Sequence, residues 1–470
     1  MSSLSGRQLD ALLQGWRGSG IAYASLADRI RLLVLDGRLP AGSRLPAERL
    51  LAEQLGVSRT TVGAAYAHLR DRGFVVSTQG SGSVIRLSAR APAALPSDLA
   101  DGIDLRKAAL PAAPQLGDAV LRASRELPAH FGDTGFDPVG LPALRAAIAD
   151  RYTARGLPTT AEQVMVTVGA QHAIALLTRV LVERGDRVLV ESPSYPHAYE
   201  ALRAAGGRLV PVSVSTADGW DVEAIEQAIR RSSPALAYLM PDFHNPTGQS
   251  MPAQVRERVL AVAEQHGTII VADEIMAELT IDEPHRQPPL AASGPAVLVG
   301  STSKTVWGGI RIGWIRAEAP LLQRLAAARL AIDLGTPILE QLVAIDLMGS
   351  YDEILAGRRV LLRRGRDHLK QALAEAFPGW HVPHVAGGLT TWVNLGATVS
   401  SELTLAARSE KLLLAAGPLF GIDGAFERFL RIPFTLTPEQ TDEAVAMLRR
   451  AWDRLPPHST VPQASLVGVV

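Results

Sequence analysis

From about residue 116 onward the chain alternates short β-branched runs with amphipathic helical stretches, and no other feature limits its fold so strongly. The runs are VMVTV at 164–168, DRVLVE at 186–191, ALAYLM at 235–240, TIIVADE at 268–274 and VLVGSTS at 297–303. Strands that alternate with helices predict right-handed βαβ units and a parallel sheet. In open α/β sheets of this kind, ligands bind just beyond the carboxyl ends of the strands. The loops that follow these runs are therefore the first place to look for chemistry.

At roughly 100–200 residues per domain, the 470 residues predict two to four domains. Residues 20–86 read as short helices followed by a hairpin, so 1–86 is expected to be a separate N-terminal module. Residues 87–115 are rich in Ala and Pro with little periodicity and read as a semi-rigid linker. The α/β domain is expected over 116–455, and 456–470 as a disordered tail. The absence of cysteine excludes disulfides and thiolate metal sites, and no apolar run approaches the ~20 residues of a membrane span. Met1–Asp10 lacks the basic-then-apolar layout of a secretory signal, so the expected location is the cytoplasm, with no membrane partner.

The formal net charge is zero, which by itself argues against nucleic acid. The sum conceals an asymmetry. Residues 1–86 hold eleven Arg, no Lys and six acids, a net of +5, which leaves −5 for the remainder. A basic end of this kind points to a nucleic-acid module. Within it, apolar residues at 26, 30, 33 and 34 mark a helix over 25–36. A second helix is expected to start near Pro46, with Leu50, Leu51 and Leu55 facing inward. Gly56 supplies a tight turn, and Ser58 N-caps a third helix with Val62, Tyr66 and Leu69 inward. A hairpin with a Gly- and Ser-rich turn at 77–82 follows.

Two helices joined by such a turn form a helix-turn-helix, whose second helix presents Ser58, Arg59, Thr60 and Thr61 to a major groove. Arg44, Arg49 and the wing residues Gly80, Ser81 and Gly82 are placed to hold phosphates. The run GRLPAGSRLPAERLLAEQLGVSRTTVGAAYAHLRDRGFV, with GSGS after it, resembles the winged helix of GntR-type bacterial transcription regulators across nearly all of 25–86. Double-stranded operator DNA is the partner this implies.

In the large domain, TIIVAD ends in Asp273, and VLVG runs into Ser301-Thr302-Ser303-Lys304 with Arg311 seven residues beyond the lysine. An arginine and hydroxyls near a lysine suggest an anionic group held beside a reactive amine. The chain has only four Lys, at 107, 304, 370 and 411, so amine chemistry has few candidates. Gly169-Ala170-Gln171 opens a helix whose free N–H groups face any phosphate placed there. Taken singly, each feature has a structural explanation as a cap, a turn or an exposed cation. Their order does not. GAQ at 169–171, SPSYP at 192–196, NPTG at 245–248, DE at 273–274, STSK at 301–304, RIG at 311–313 and LRIPF at 430–434 together resemble fold-type-I pyridoxal 5'-phosphate (PLP) aminotransferases over about 116–450.

That resemblance implies a multidomain α/β protein whose PLP domain has a parallel-rich central sheet and a smaller C-terminal α+β subdomain. It implies that Lys304 forms the Schiff base with the cofactor aldehyde and that Asp273 pairs with the pyridinium nitrogen. Asn245 would bond the ring hydroxyl, with Tyr195 on one ring face and Ile275 on the other. Gly169, Ala170, Gln171, Ser301 and Arg311 would hold the phosphate, and Arg431 would pair with the carboxylate of an amino acid. Two positions depart from the family pattern. Met276 stands where the family usually has a Tyr that bonds the ring hydroxyl, and Gly135, with Phe136 beside it, stands where a Tyr often reaches a neighbouring subunit's cofactor. Lys304 still offers an amine for proton transfer, so a half-transamination remains within reach.

The combination of modules resembles the MocR subfamily of bacterial regulators. This implies a transcription regulator that senses PLP, or its adduct with an amino acid or amine, and works as a head-to-tail homodimer on two operator half-sites. The alternative is an aminotransferase carrying an accessory DNA-binding domain.

Overall fold

The computed structural model describes residues 9–10, 13, 16, 22–35, 39, 43–71, 74–78, 82–85, 102–282, 287–422 and 424–455. The expected wing residues Gly80 and Ser81, residue 86, the first part of the expected linker (87–101) and the tail 456–470 lie outside them.

Among its described residues the N-terminal module has the helices Ala22–Leu35, Glu48–Leu55 and Arg59–Asp71, further helical residues at 9, 10 and 13, and a hairpin, around its own hydrophobic cluster. The helix Ala22–Leu35 begins three residues before the expected start. Glu48–Leu55 and Arg59–Asp71 form the helix-turn-helix. Gly56, at φ 61°, closes the first of these in the left-handed region and returns its N–H to Ala52 O. Ser58 Oγ then accepts the Thr61 N–H at 3.1 Å, which is the expected N-cap. Leu51 and Leu55 are buried, but Leu50 is 55% exposed, contrary to expectation. On an eight-residue helix the stripe through 51, 52 and 55 is already one face, and position 50 lies about 100° off it. Val62, Tyr66 and Leu69 are buried as expected, and the Tyr66 hydroxyl bonds Pro46 O at 2.9 Å. Strands β1 (Val75–Thr78) and β2 (Gly82–Ile85) make the antiparallel wing. It is joined to the loop before the second helix by Leu45 N–H on Ser83 O at 2.8 Å.

The large domain opens with a two-residue strand, β3 (Ile103–Asp104). An eight-stranded sheet follows, built from β4 (Val164–Thr167), β5 (Arg187–Ser192), β6 (Arg208–Ser215), β7 (Gly219–Trp220), β8 (Leu236–Leu239), β9 (Ile269–Asp273), β10 (Val297–Ser301) and β11 (Gly313–Arg316). Their order across the sheet is β4-β11-β10-β9-β8-β5-β6-β7. All five apolar runs read from the sequence are among them. The block β10-β9-β8-β5-β6 is parallel, while β11 runs antiparallel to both neighbours and β7 antiparallel to β6. The centre of the sheet is buried on both faces, so its strands read as aliphatic runs rather than alternating patterns.

The smaller subdomain pairs β12 (Thr390–Asn394), β15 (Phe429–Pro433) and β14 (Ala415–Ala416) in one antiparallel sheet. β13 (Leu412–Leu413) instead takes β3 as a parallel partner. Residues 102–115, expected as the end of a linker, are thus anchored: Leu105, Leu110 and Ala113 are buried in the core shared with the C-terminal helices. The aliphatic spacing there is too short for a helix or strand signature, which is why composition alone reads it as linker.

The two cores predict separate responses to damage. Leu51→Ala should cost the winged-helix module about 2–5 kcal/mol, the usual range for a buried leucine. Urea unfolding followed by DNA binding and by large-domain fluorescence should show only the first transition moving.

Candidate cofactor site and DNA-contacting face

Strands β4, β5, β8, β9 and β10 all deliver their carboxyl ends to one edge of the sheet, and the expected site residues collect there. Asp273 is the last residue of β9, in register with Val299 of β10. It is 1% exposed. Its Oδ2 accepts the Tyr238 hydroxyl at 2.6 Å and its Oδ1 accepts the Ile275 N–H at 3.1 Å. Burial pushes the Asp273 carboxyl up to about 6, against the pull of these two bonds and of Lys304.

Lys304 stands three residues past β10, on a turn locked by side chains. Ser301 Oγ donates to Ile312 O at 2.8 Å and accepts the Ser303 N–H at 3.1 Å. Ser301 is therefore engaged within the turn that carries the lysine. Lys304 Nζ donates to Ala108 O at 2.8 Å. Burial, then the cations of Arg431 and Arg311, bring its amine down to about 8, with Asp273 opposing them.

Asn245 follows β8 on a turn with a steric reason for its glycine. Gly248 has φ 74°, and a Cβ there would lie 2.3 Å from Val385 Cγ1. Asn245 is 6% exposed, and its Oδ1 has no hydrogen-bond partner among the described residues. Tyr195 caps the helix Pro196–Ala204 after β5, and burial lifts its hydroxyl to about 12, with Asp273 adding to the rise. Ile275 is half-buried against the same core.

The anion-holding corner is made by close backbone approach. Gly169 has φ 80° and precedes the helix Ala170–Leu181, and a Cβ on it would sit 2.7 Å from Arg311 Nη2. A Cβ on Gly313 would meet Gly169 C at 2.6 Å. Only glycines let β4, β11 and the helix N-terminus meet here. Arg311, itself at φ 50°, donates Nη2 to Val168 O at 3.1 Å. Gln171 donates to His197 O at 3.3 Å, and its Oε1 is buried without a partner among the described residues.

Arg431, on β15, is 6% exposed. Its Nη2 donates to Arg106 O, and its guanidinium lies 5.0 Å from the centre of the Phe420 ring. Nε has no partner among the described residues, and burial lowers its pKa to about 10. Met276 is 4% exposed and packs in the apolar core, so no phenol is presented from that position. Gly135 has φ 77°, and Phe136 is 69% exposed.

The residues present fit PLP. A buried carboxylate, a readily deprotonated amine, an orphaned amide oxygen and a helix N-terminus flanked by arginine match the ring nitrogen, aldehyde, ring hydroxyl and phosphate in turn. Three contributors were not read from the sequence: Tyr238 and the carbonyls of Arg106 and Ala108. A tyrosine inside the aliphatic run ALAYLM was the available signal for the first, since a buried phenol needs a partner. Backbone carbonyls leave no signal.

On the winged helix, Arg59 is 74% exposed with its Nε 3.8 Å from Glu48, and Arg49 is 82% exposed with its Nε 3.1 Å from Glu53. Ser58, Thr60 and Thr61 bond one another at 2.7 and 2.8 Å, so Ser58 serves chiefly the helix start. Arg44 pairs across to Val84 and lies against Gly82 of the wing. Arg70 Nη1 ties the recognition helix to the wing through Ser77 at 3.1 Å.

The lysine's lowered pKa has a measurable consequence. PLP uptake by the apo-protein should increase with pH about a midpoint near 8, where the amine loses its proton. Arg431→Gln removes a depressing cation and should shift that midpoint upward. Stopped-flow absorbance between pH 6 and 10 checks both.

Comparison with known proteins agrees with this geometry. Residues 115–448 match the family described as aminotransferase class I and II, and residues 22–85 match the bacterial regulatory proteins of the gntR family. The HTH-type transcriptional regulator YdfD of Bacillus subtilis is 28% identical, with 85% of this chain and 89% of that protein covered. The 2-aminoadipate transaminase of Thermus thermophilus is 32% identical over 71% of this chain and 83% of its own. Among solved structures, the alpha-aminoadipate aminotransferase LysN from Thermus thermophilus, complexed with N-(5'-phosphopyridoxyl)-L-leucine, superposes with a TM-score of 0.68 at 29% identity. The match covers 75% of this chain and 92% of that one. The chain belongs to the class I and II aminotransferase family and carries ahead of that PLP-binding domain a GntR-family DNA-binding domain, an organisation consistent with the MocR regulators.

Proposed function

We propose that the two domains form one ligand-responsive switch, in which the winged helix holds operator DNA and the large domain reads PLP together with an amino acid or amine. One combination carries this reading. A DNA-reading helix precedes a site that keeps Lys304, Asp273, Asn245 and Arg431, while Met276 offers no phenol. The relatives named as transcriptional regulators, YdfD among them, support a regulator over an enzyme.

When bound, PLP supplies an aldehyde that primary amines join reversibly and a ring that withdraws electrons. Lys304 holds the aldehyde end and moves a proton at Nζ. Asp273 holds the ring nitrogen in its protonated form, and Asn245 offers its amide to the ring hydroxyl. Tyr195 and Ile275 bound the two ring faces. Gly169, Ala170, Gln171, Ser301 and Arg311 form the phosphate corner, with Ser301 acting through the turn it locks. Arg431 pairs with the carboxylate of an amino-acid effector.

A switch requires a ligand that favours one placement of the winged helices. The chain arriving from the winged helix lays Arg106 O on Arg431 and Ala108 O on Lys304, the two groups an amino-acid ligand would engage. Arg29, on the helix Ala22–Leu35 of the winged module, lies 3.6 Å from Glu402 on the helix Ser400–Ser409. Ser400 Oγ in turn accepts the Gly417 N–H at 3.0 Å, next to β14, the neighbour of the strand that holds Arg431.

A second copy completes the proposal. Phe131, Phe136, Leu330, Ile332 and Leu334 are between 42% and 72% exposed. The two segments adjoin, since a Cβ on Gly335 would meet Asp137 O at 2.4 Å. An apolar patch of this kind suits a head-to-tail homodimer reading two half-sites in the cytoplasm. No described helix is long and apolar enough to cross a membrane.

Purified protein should show a visible absorbance band that Lys304→Ala abolishes. Arg59→Ala should weaken operator binding by about 1–3 kcal/mol if it reads a base. Phe136→Glu with Ile332→Glu should yield monomers that protect one half-site. A colourless wild type defeats the PLP reading. Steady turnover with an amino acid and a 2-oxo acid, with operator affinity indifferent to either, makes the protein the alternative aminotransferase.

A further inference from the structure

Tyr238 has no role in the switch proposed above, yet its hydroxyl makes one of the two hydrogen bonds to the Asp273 carboxylate. It sits on β8, in register with Val271 of β9, two residues before Asp273. It is 1% exposed, and its hydroxyl donates to Asp273 Oδ2 at 2.6 Å. The aliphatic strand around it offers no reason for a phenol, so the hydroxyl's work is done at that single bond. We propose that Tyr238 is a positioning residue that keeps Asp273 ionised and aimed, so that the carboxylate can hold a protonated ring nitrogen at neutral pH. This rests on the PLP reading and extends it.

The charges around Asp273 explain why such help is needed. Lys304, beyond β10, favours the ionised form, whereas Glu191 on β5 disfavours it. Tyr195, after β5, is a neutral phenol that gains from staying protonated beside the same carboxylate. Burial outweighs the favourable neighbours, and the carboxyl titrates near 6, close to working pH. A donor to Oδ2 selectively stabilises the anion, because a carboxylate accepts more strongly than a neutral acid. Tyr238 is suited to this role, since burial and Asp273 hold its own pKa well above the ordinary value and it remains a donor throughout. Each carboxylate oxygen keeps a free lone pair after these bonds, so the ring nitrogen still finds an acceptor.

The sign is fixed by the chemistry. Asp273 binds the pyridinium as an anion, so PLP retention falls as pH drops through the carboxyl's titration. Removing the hydroxyl stabilises the protonated acid and must raise that midpoint. In Tyr238→Phe, PLP titrated into apo-protein and followed by its visible band should show a low-pH midpoint about one unit above wild type, with affinity weaker by about two- to fivefold between the two midpoints and approaching about tenfold below both. Asp273→Asn serves as the reference and should lose this low-pH limb entirely. Thermal unfolding of the apo-forms separates a folding defect from the predicted effect. A Tyr238→Phe protein that is stable, and whose PLP affinity and low-pH midpoint equal wild type, overturns the proposal. An affinity loss with an unmoved midpoint also overturns it, reducing Tyr238 to packing. A wild type that takes up no PLP fails the underlying reading instead.

Discussion

A carboxylate enclosed at the buried end of a strand is expensive unless donors and a counter-charge receive it. Asp273 is such a group, and much of the large domain is arranged around it. The neighbouring strand β8 supplies Tyr238, the turn after β10 supplies Lys304, the turn after β9 returns the Ile275 N–H, and Met276 is buried in apolar packing. The parallel block matters because it delivers five strand ends to one edge, so groups far apart in sequence converge there without any long loop. The smaller subdomain then closes the site with Arg431, a second buried charge whose partners are chiefly backbone.

What could be read from the sequence follows from where information resides in a chain. The five strands were visible because burial on both faces makes them aliphatic runs. The candidate site residues of the large domain could be picked out because the order of their motifs is distinctive. The direction of β11 was not, since GWIR encodes no partner, and its antiparallel pairing with β4 and β10 brings Gly313 against Gly169, where no Cβ fits. Leu50 misled because a leucine beside two inward leucines looks inward until helical geometry places it. Residues 102–115 misled more deeply: their role lies in carbonyl groups, which every residue possesses. Ser301 was assigned to phosphate by its place in STSK, whereas its hydroxyl is taken by Ile312 O.

The winged helix shows why whole-chain charge was uninformative. Two exposed arginines of its helix-turn-helix, Arg49 and Arg59, lie beside Glu53 and Glu48. Exposed pairs of this kind hold little energy and are readily exchanged for phosphate contacts. The basic excess is therefore partly masked in the free protein.

Under the proposed switch, the strap from Ile103 to Ala113 would give the tether between the modules an adjustable length. Its carbonyls hold Arg431 and Lys304, and its leucines hold the core. A ligand that displaces the first pair leaves only the second. Each strap residue then released from the surface adds up to roughly 3.3–3.6 Å to the reach of the winged helix. The spacing between half-sites that a pair of such proteins can span would then depend on the occupant of the pocket. Small molecules would select among operators by geometry, with no change in any residue that touches DNA.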